Sequence, residues 1–530
     1  MRKRRLTWFL VKPEINLDDL EAIIEPPERG ELHSYRIDAL STERDSLFVR
    51  ASHTSPPPWL SFVESHVSDG ELPPILGASS SGVLLVPGGD RLMAITFGYG
   101  RHLVRQEAVV QDFGLKVVLN SIDPTQIKSI DARTFDELTL HTRRGASHDS
   151  PLGAFELDNS RDLLRAVTGR SEQGGLGSLS GSSSLAMNQA IELPDLPALA
   201  EELVDLYGET RYKENFEFID FVRGETDPKI ISNLDEKLVA ALESRDMTEM
   251  HLAIPEAVNW QDISGVRFSF KKKKHEPAPD PRISVYRDLR DGDITLDRLK
   301  SDRVEAINAL DETAPPVDKW RVYDCVVFET EFNGHLYVLS GGDWYRIAKS
   351  HRDKIEQYVR EIPELDLDLP PADSAWSENA YNEAAADAIG ALCLDGLPIG
   401  VGGVDRVELC DLLTKDGCFV HVKKRGRSST LSHLFAQGVT SAELLLGDDE
   451  FREKATKLVE SEGEDFASAI PDAPRARDRI KVGYVVLSRG QRPDKPYGLP
   501  FFSLVSLKAA TERLRNAGLE VYAKEVKEQT

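Results

Sequence analysis

Residues 410–438 read CDLLTKDGCFVHVKKRGRSSTLSHLFAQG and gather residue types that can act on a phosphate ester. Side chains alternate across a strand, so Phe419, His421 and Lys423 share one face of the second apolar run while Val420 and Val422 take the other. Glu408 and Asp411 lie on the preceding run, joined to it by the short turn Thr414 to Cys418. A carboxylate at a strand end beside a lysine suits metal-assisted phosphodiester hydrolysis. The acid holds Mg²⁺ through oxygen, the metal neutralises charge building on the phosphate, and the lysine orients or activates water. Lys424, Arg425 and Arg427 could then hold a nucleic-acid backbone. The same residues also fit a plain hairpin whose lysine, histidine and basic turn keep an edge soluble.

These side chains need elements to position them. Ser377 is placed to cap a helix over ENAYNEAAADAIGAL, which sets Glu378, Tyr381 and Asn382 on one face. The pattern predicts strands over Val407 to Leu413 and Phe419 to Lys424, then a helix from Ser429 or Thr430 through Leu434 and Gln437. IKVGYVVL reads as a strand, SLKAATERLRNAG as a helix ending at Gly518, and LEVYAKEV as a strand. Alternating β and α elements predict a C-terminal mixed sheet flanked by helices. Ser432 and His433 lack a GxSxG elbow, so packing is the simpler role for His433, as capping is for Ser429.

Taken in this order, Glu378 on a helix, Asp411 ending a strand, Lys423 on the next strand and Gln437 on the following helix resemble the PD-(D/E)xK, or restriction-endonuclease-like, phosphodiesterases. The resemblance implies Lys423, Asp411 and Glu378 as catalytic residues and Asp411, Glu408 and His421 as metal ligands. It further implies Lys424, Arg425, Arg427 and Gln437 as contacts to substrate, with Mg²⁺ or Mn²⁺ as cofactor and DNA as partner. His421 stands where that superfamily has Asp or Glu, and an imidazole suits Mn²⁺ better than Mg²⁺. Another register makes Asp395 the strand-end acid and Glu408 the second, but sets Cys410 in the lysine position. The whole chain is similar to a sporadically distributed, uncharacterised bacterial family, with ENAYN, VELCDLL, FVHVKK and LSHLFAQG as its marking words. Such families are often carried on mobile-element or phage-defence islands. The expectation is thus a metal-dependent nuclease acting on DNA in such defence. The alternative is a non-catalytic protein with a degenerate nuclease-like fold that binds nucleic acid, a protein partner or a second copy of itself.

The rest of the chain bounds this reading. At 530 residues it exceeds one core, and its composition, 40% hydrophobic and 29% charged, is that of a folded protein. A net charge of −24 disfavours non-specific coating of nucleic acid, so any contact must be local. Four cysteines without CxxC spacing fit a reducing cytoplasm and not a structural zinc site. No run reaches the ~20 apolar residues a membrane helix needs, and the opening MRKRRLTWFLVKPE reads as a first strand over Leu6 to Val11.

The fold class expected is mixed α/β, multidomain, with an α/β domain over 1–190, a helical and hairpin region over 191–365 and the nuclease-like domain over 366–530. Within the first, GVLLVP, LMAITFG and LKVVLNSI read as strands, GRHLVRQEAVVQDF as a helix, and Gly174 to Ala186 as a connector or ordered loop. Helices are expected from Leu193 and over Asp235 to Arg245. Lys271 to Lys274 read as a solvated tail before a Pro277 to Pro281 linker, and Asn333-Gly334 as a type I′ hairpin turn. Trp344 and Tyr345 on the returning strand read as packing residues.

Overall fold

In the computed structural model the described residues are 3–26, 31–40, 42, 44–55, 75–105, 108–134, 141–157, 162–171, 176–244, 250–255, 258, 263–270, 273–290, 292–309, 316–401, 405–425, 431–471, 480–488 and 495–529. The fold is mixed α/β with several sheets. Two compact units emerge: Met1–Arg133, Thr142–Leu157 and Leu164–Phe218 form one, and Thr134–His141, Asp158–Leu163 and Ile219–Thr530 the other.

The first unit is built on a ten-stranded sheet with Arg4–Leu10 near its centre, between Arg91–Gly98 and Leu185–Gln189. LKVVLNSI is a helix, Phe113–Ser121, and not a strand. Every residue of it but Lys116 is buried, so its apolar run lacks the polar stripe that would have marked a helix. The helix predicted before it is a short turn, Gly100–Leu103, followed by single bridges of Val104 to Ile24 and Val109 to Val11. The glycine-serine stretch is no connector: Gly177–Gly181 and Leu185–Gln189 pair as a hairpin of the sheet. Its glycines admit the helix, since a Cβ on Gly181 would lie 1.9 Å from the Gly114 carbonyl oxygen.

In the second unit the Asn333-Gly334 turn has positive φ at both positions, 49° and 75°, and joins Val326–Phe332 to His335–Ser340 as predicted. Trp344 on the next strand is buried and donates to Asp235 Oδ1 at 2.9 Å, with the Tyr323 hydroxyl on the same oxygen at 2.6 Å. Lys273–Lys274 pair with Ile263–Phe270, so this half of the expected tail is strand, while Lys271 and Lys272 lie outside the described residues. The Pro277 to Pro281 segment is not a free linker, because Ala278 exchanges both backbone bonds with Val266.

The site-bearing elements follow from residue 372. They are β1 (Ala372–Asp373), α1 (Glu378–Ile389), β2 (Leu392–Cys393), β3 (Pro398–Val401), β4 (Asp405–Glu408), β5 (Leu412–Leu413) and β6 (Cys418–Lys424). After them come α2 (Leu431–Gly447), α3 (Asp449–Glu462), β7 (Lys481–Ser488), α4 (Phe501–Asn516) and β8 (Glu520–Gln529). A six-stranded mixed sheet runs β1-β8-β7-β6-β5-β2, with β6, β7 and β8 parallel and β5 antiparallel to both neighbours. Phe419 packs on one face with Phe435 of α2 and Phe501 and Leu504 of α4, whereas Val420 and Val422 pack on the other with Tyr381 and Ala385 of α1. The alternation expected for β6 is therefore present, with a helical layer on each side.

The single strand expected over Val407 to Leu413 is broken. β4 pairs with β3 in its own two-stranded sheet, and β5 joins the main sheet for two residues only. Asp411 therefore precedes a strand and does not end one.

Candidate active site

The break follows from where backbone hydrogen bonds go. The turn from β5 to β6 is tied by Thr414, whose Oγ1 accepts the Cys418 N–H at 3.0 Å, and by Gly417 at φ 81°. Beyond the two-residue ladder the Asp411 N–H still donates to the Val420 carbonyl at 3.0 Å. The chain then leaves the sheet, and the Asp411 carboxylate takes over. Its Oδ2 accepts the Val422 N–H at 2.6 Å. Two residues further, the Lys424 N–H donates to Glu378 Oε2 at 2.9 Å. N–H groups two apart on a strand point the same way, so two carboxylates stand in for the missing neighbour strand.

Ser377 caps α1 through the Ala380 N–H at 3.1 Å and sets Glu378 in the first turn, where the helix dipole favours an anion. Glu378 Oε1 then accepts from Lys423 Nζ at 2.7 Å. Gln437 on α2 donates to Glu408 Oε2 at 3.3 Å. Asp395 Oδ2 accepts from Asn379 at 3.3 Å and Asn382 at 3.1 Å, both on α1. Asp395, Glu378 and Glu408 all act on Asp411, so Glu378, Asp411, Lys423, Glu408, Gln437 and Asp395 are drawn into one locality. Asn382 lies on the helix face that the sequence sets with Glu378 and Tyr381, whereas Asn379 has no mark in the sequence beyond standing three residues before it.

The electrostatics are lopsided. Burial pushes the Asp411 carboxyl up to about 7, the surrounding carboxylates add to the rise, and the Val422 N–H opposes it. Burial and Asp395 also raise Glu408, against the pull of Lys423. Acids held above their ordinary range beside a single paired lysine leave a deficit of positive charge. Among the described residues, Asp411 Oδ1 and Glu408 Oε1 accept no hydrogen bond. These are hard oxygen donors of the kind Mg²⁺ and Mn²⁺ take. No group of three His, Cys, Asp or Glu among the described residues is arranged to hold a metal ion. A Mg²⁺ ion carried by one or two carboxylates and its own waters does not require such a group.

Other sequence candidates lie elsewhere. His421 is 2% exposed, its Nε2 has no hydrogen-bond partner among the described residues, and its ring lies 6.1 Å from that of Tyr484. Burial alone pushes the imidazole down to about 4, so it is a neutral core group and is not brought to the carboxylates. Lys424 Nζ donates to the carbonyls of Ser374 at 2.8 Å and Trp376 at 2.9 Å, with Glu528 at 3.4 Å. Arg425 continues the β6 ladder by donating its N–H to the Leu487 carbonyl at 2.8 Å. His433 is exposed on α2, while Arg427, Ser429 and the Ser432 side chain lie outside the described residues.

Among the described residues no helix is long and apolar enough to cross a membrane. No curated protein and no solved structure matches the chain. One family profile does, and it spans residues 6–527. The chain therefore belongs to the family described as a family of unknown function, DUF6119.

Proposed function

We propose that the part of the chain from about residue 366 is a restriction-endonuclease-like domain that hydrolyses phosphodiester bonds in DNA with Mg²⁺ or Mn²⁺. The observation that carries the reading is the Lys423 ammonium held at 2.7 Å by Glu378, in a locality where Asp411 and Glu408 both resist ionisation. Helix, strand, lysine strand and helix follow in the order implied by the resemblance to PD-(D/E)xK enzymes. Asp411 and Glu408 would hold the metal through Oδ1 and Oε1. When bound, the ion supplies charge neutralisation at the phosphate and an acidified water. Glu378 orients the Lys423 ammonium, and Lys423 holds and positions the attacking water. The Val422 N–H fixes the Asp411 carboxylate, and Gln437 fixes that of Glu408, so neither must be ordered when substrate arrives. The setting in defence against mobile elements or phage rests on the likeness to a sporadically distributed bacterial family.

A second reading is favoured by one observation. The residue two before Lys423, which is acidic in the strand pattern of those enzymes, is the buried His421. It makes the domain a binder of nucleic acid without turnover.

Purified full-length protein is expected to cut linear and plasmid DNA with Mn²⁺ or Mg²⁺ and not in EDTA. Asp411→Ala and Lys423→Ala should each lower the rate by about 10²-fold or more. Metal-dependent cleavage that survives both substitutions would sink the nuclease reading. Salt-sensitive binding without products would favour the second.

A further inference from the structure

Trp376 lies two residues before Glu378 and is 38% exposed. The other tryptophans among the described residues, Trp8, Trp320 and Trp344, are all buried. Among the described residues from 366 onward it is the one large apolar side chain that faces solvent.

Its backbone, by contrast, is tightly held. The Trp376 N–H donates to the Asp373 carbonyl at 3.1 Å, and the preceding Ala375 N–H to Asp373 Oδ1 at 2.8 Å. The Trp376 carbonyl accepts from Lys424 Nζ at 2.9 Å. Ser377 caps α1 immediately after, and Glu378 is tied to both Lys423 and Lys424. An exposed indole on a backbone cross-linked to the lysine strand has little ordering entropy left to lose on binding. Two lysines of β6 are tied to this stretch, Lys424 through its Nζ on the Trp376 carbonyl and Lys423 through its Nζ on Glu378 two residues further along. An exposed aromatic face held close to lysines is what single-stranded nucleic acid takes up, with the base on the ring.

We infer that Trp376 is a stacking platform for an unpaired nucleobase next to the bond that is cut, so that the preferred substrate is single-stranded DNA or a single-stranded stretch in a duplex. The inference deepens the nuclease reading and rests on it for the meaning of the neighbouring site. A duplex keeps its bases stacked on one another and offers the indole no free face.

The test is the affinity of full-length protein for a fluorescein-labelled 12-nucleotide oligo-dT and for a 12-base-pair duplex, in EDTA so that nothing is cut. Wild type should bind oligo-dT more tightly than duplex. Trp376→Ala should weaken oligo-dT binding roughly tenfold, the order of one base–aromatic stack, and leave duplex binding within twofold. Trp376→Phe should restore most of the loss, and an unchanged melting temperature in both variants shows that the fold is intact. Equal binding of oligo-dT by wild type and Trp376→Ala overturns the inference, as does an equal loss for both ligands or no oligo-dT binding by wild type. The two readings separate cleanly. Trp376-dependent binding without metal-dependent cleavage removes the nuclease and keeps the platform, whereas cleavage indifferent to Trp376 does the reverse.

Discussion

Asp411→Asn is expected to stabilise the protein at pH 8 in EDTA while abolishing metal-dependent cleavage. Asp411 is 8% exposed, and burial together with Asp395, Glu378 and Glu408 pushes its carboxyl up to about 7 from an ordinary 3.8. The folded state thus holds this proton more tightly than the unfolded chain does. Between about pH 4 and 7 the unfolded state carries fewer protons at this group, so stability declines as pH rises and levels off above 7. A rise from 3.8 to about 7 corresponds to about 4 kcal/mol at most, and relaxation around the ionised group will reduce it. Asparagine removes the charge and keeps an oxygen for the Val422 N–H. Thermal melts from pH 5 to 8 should therefore show the variant and wild type converging at low pH and separating towards pH 8. A separation that does not change with pH would mean that Asp411 is not the group being ionised. Adding Mg²⁺ at pH 8 should raise the melting temperature of wild type more than that of Asp411→Asn, because the variant keeps only the Glu408 carboxylate for the cation. A stabilising substitution that destroys activity is the usual mark of a residue kept for chemistry.

Glu329→Ala should cost about 3–5 kcal/mol, although the residue lies far in sequence from the element it supports. The buried Glu329 carboxylate accepts the N–H groups of Phe501 and Phe502, at 2.8 and 3.0 Å, the first two residues of α4. Pro500 at the N-cap has no side-chain oxygen to offer. Removing the acid leaves two buried donors without an acceptor, each worth about 1–3 kcal/mol, and forfeits its attraction to the helix dipole. α4 fills much of the core beneath the six-stranded sheet through Phe501, Phe502, Leu504 and Val505, so the loss reaches the site-bearing elements. Glu329→Gln keeps one acceptor and should lose roughly half as much. Urea denaturation with circular dichroism reads both, and a change under 1 kcal/mol for the alanine variant would refute the capping role.

Local pattern was enough to reveal β6, α1 and its Ser377 cap, the Asn333-Gly334 hairpin and α4 from about Ser506. Each rests on information within a few residues: alternation, a capping hydroxyl, a turn that needs positive φ, a 3.6-residue period. Local pattern failed where packing wraps an element completely. Phe113–Ser121 is apolar on nearly every side, and the glycines of Gly177–Gly181 serve a helix that lies elsewhere in the chain.

In the candidate site, the residue types and the order Glu378, Asp411, Lys423 and Gln437 were legible in the chain itself. Which partner each would meet was not. That Glu378 holds both Lys423 and the Lys424 N–H, and that Asp411 caps the Val422 N–H, depends on where β5 parts from β6. His421 and Lys423 share a strand face by alternation, yet one is a buried neutral ring and the other an ion-paired cation. Sequence by itself determined which groups can titrate and which way the strand alternates, because both are properties of single residues and their nearest neighbours. Only tertiary structure decided which carboxylates crowd together and which imidazole is sealed off, because desolvation and Coulomb energy depend on distances that close through contacts far apart in the chain.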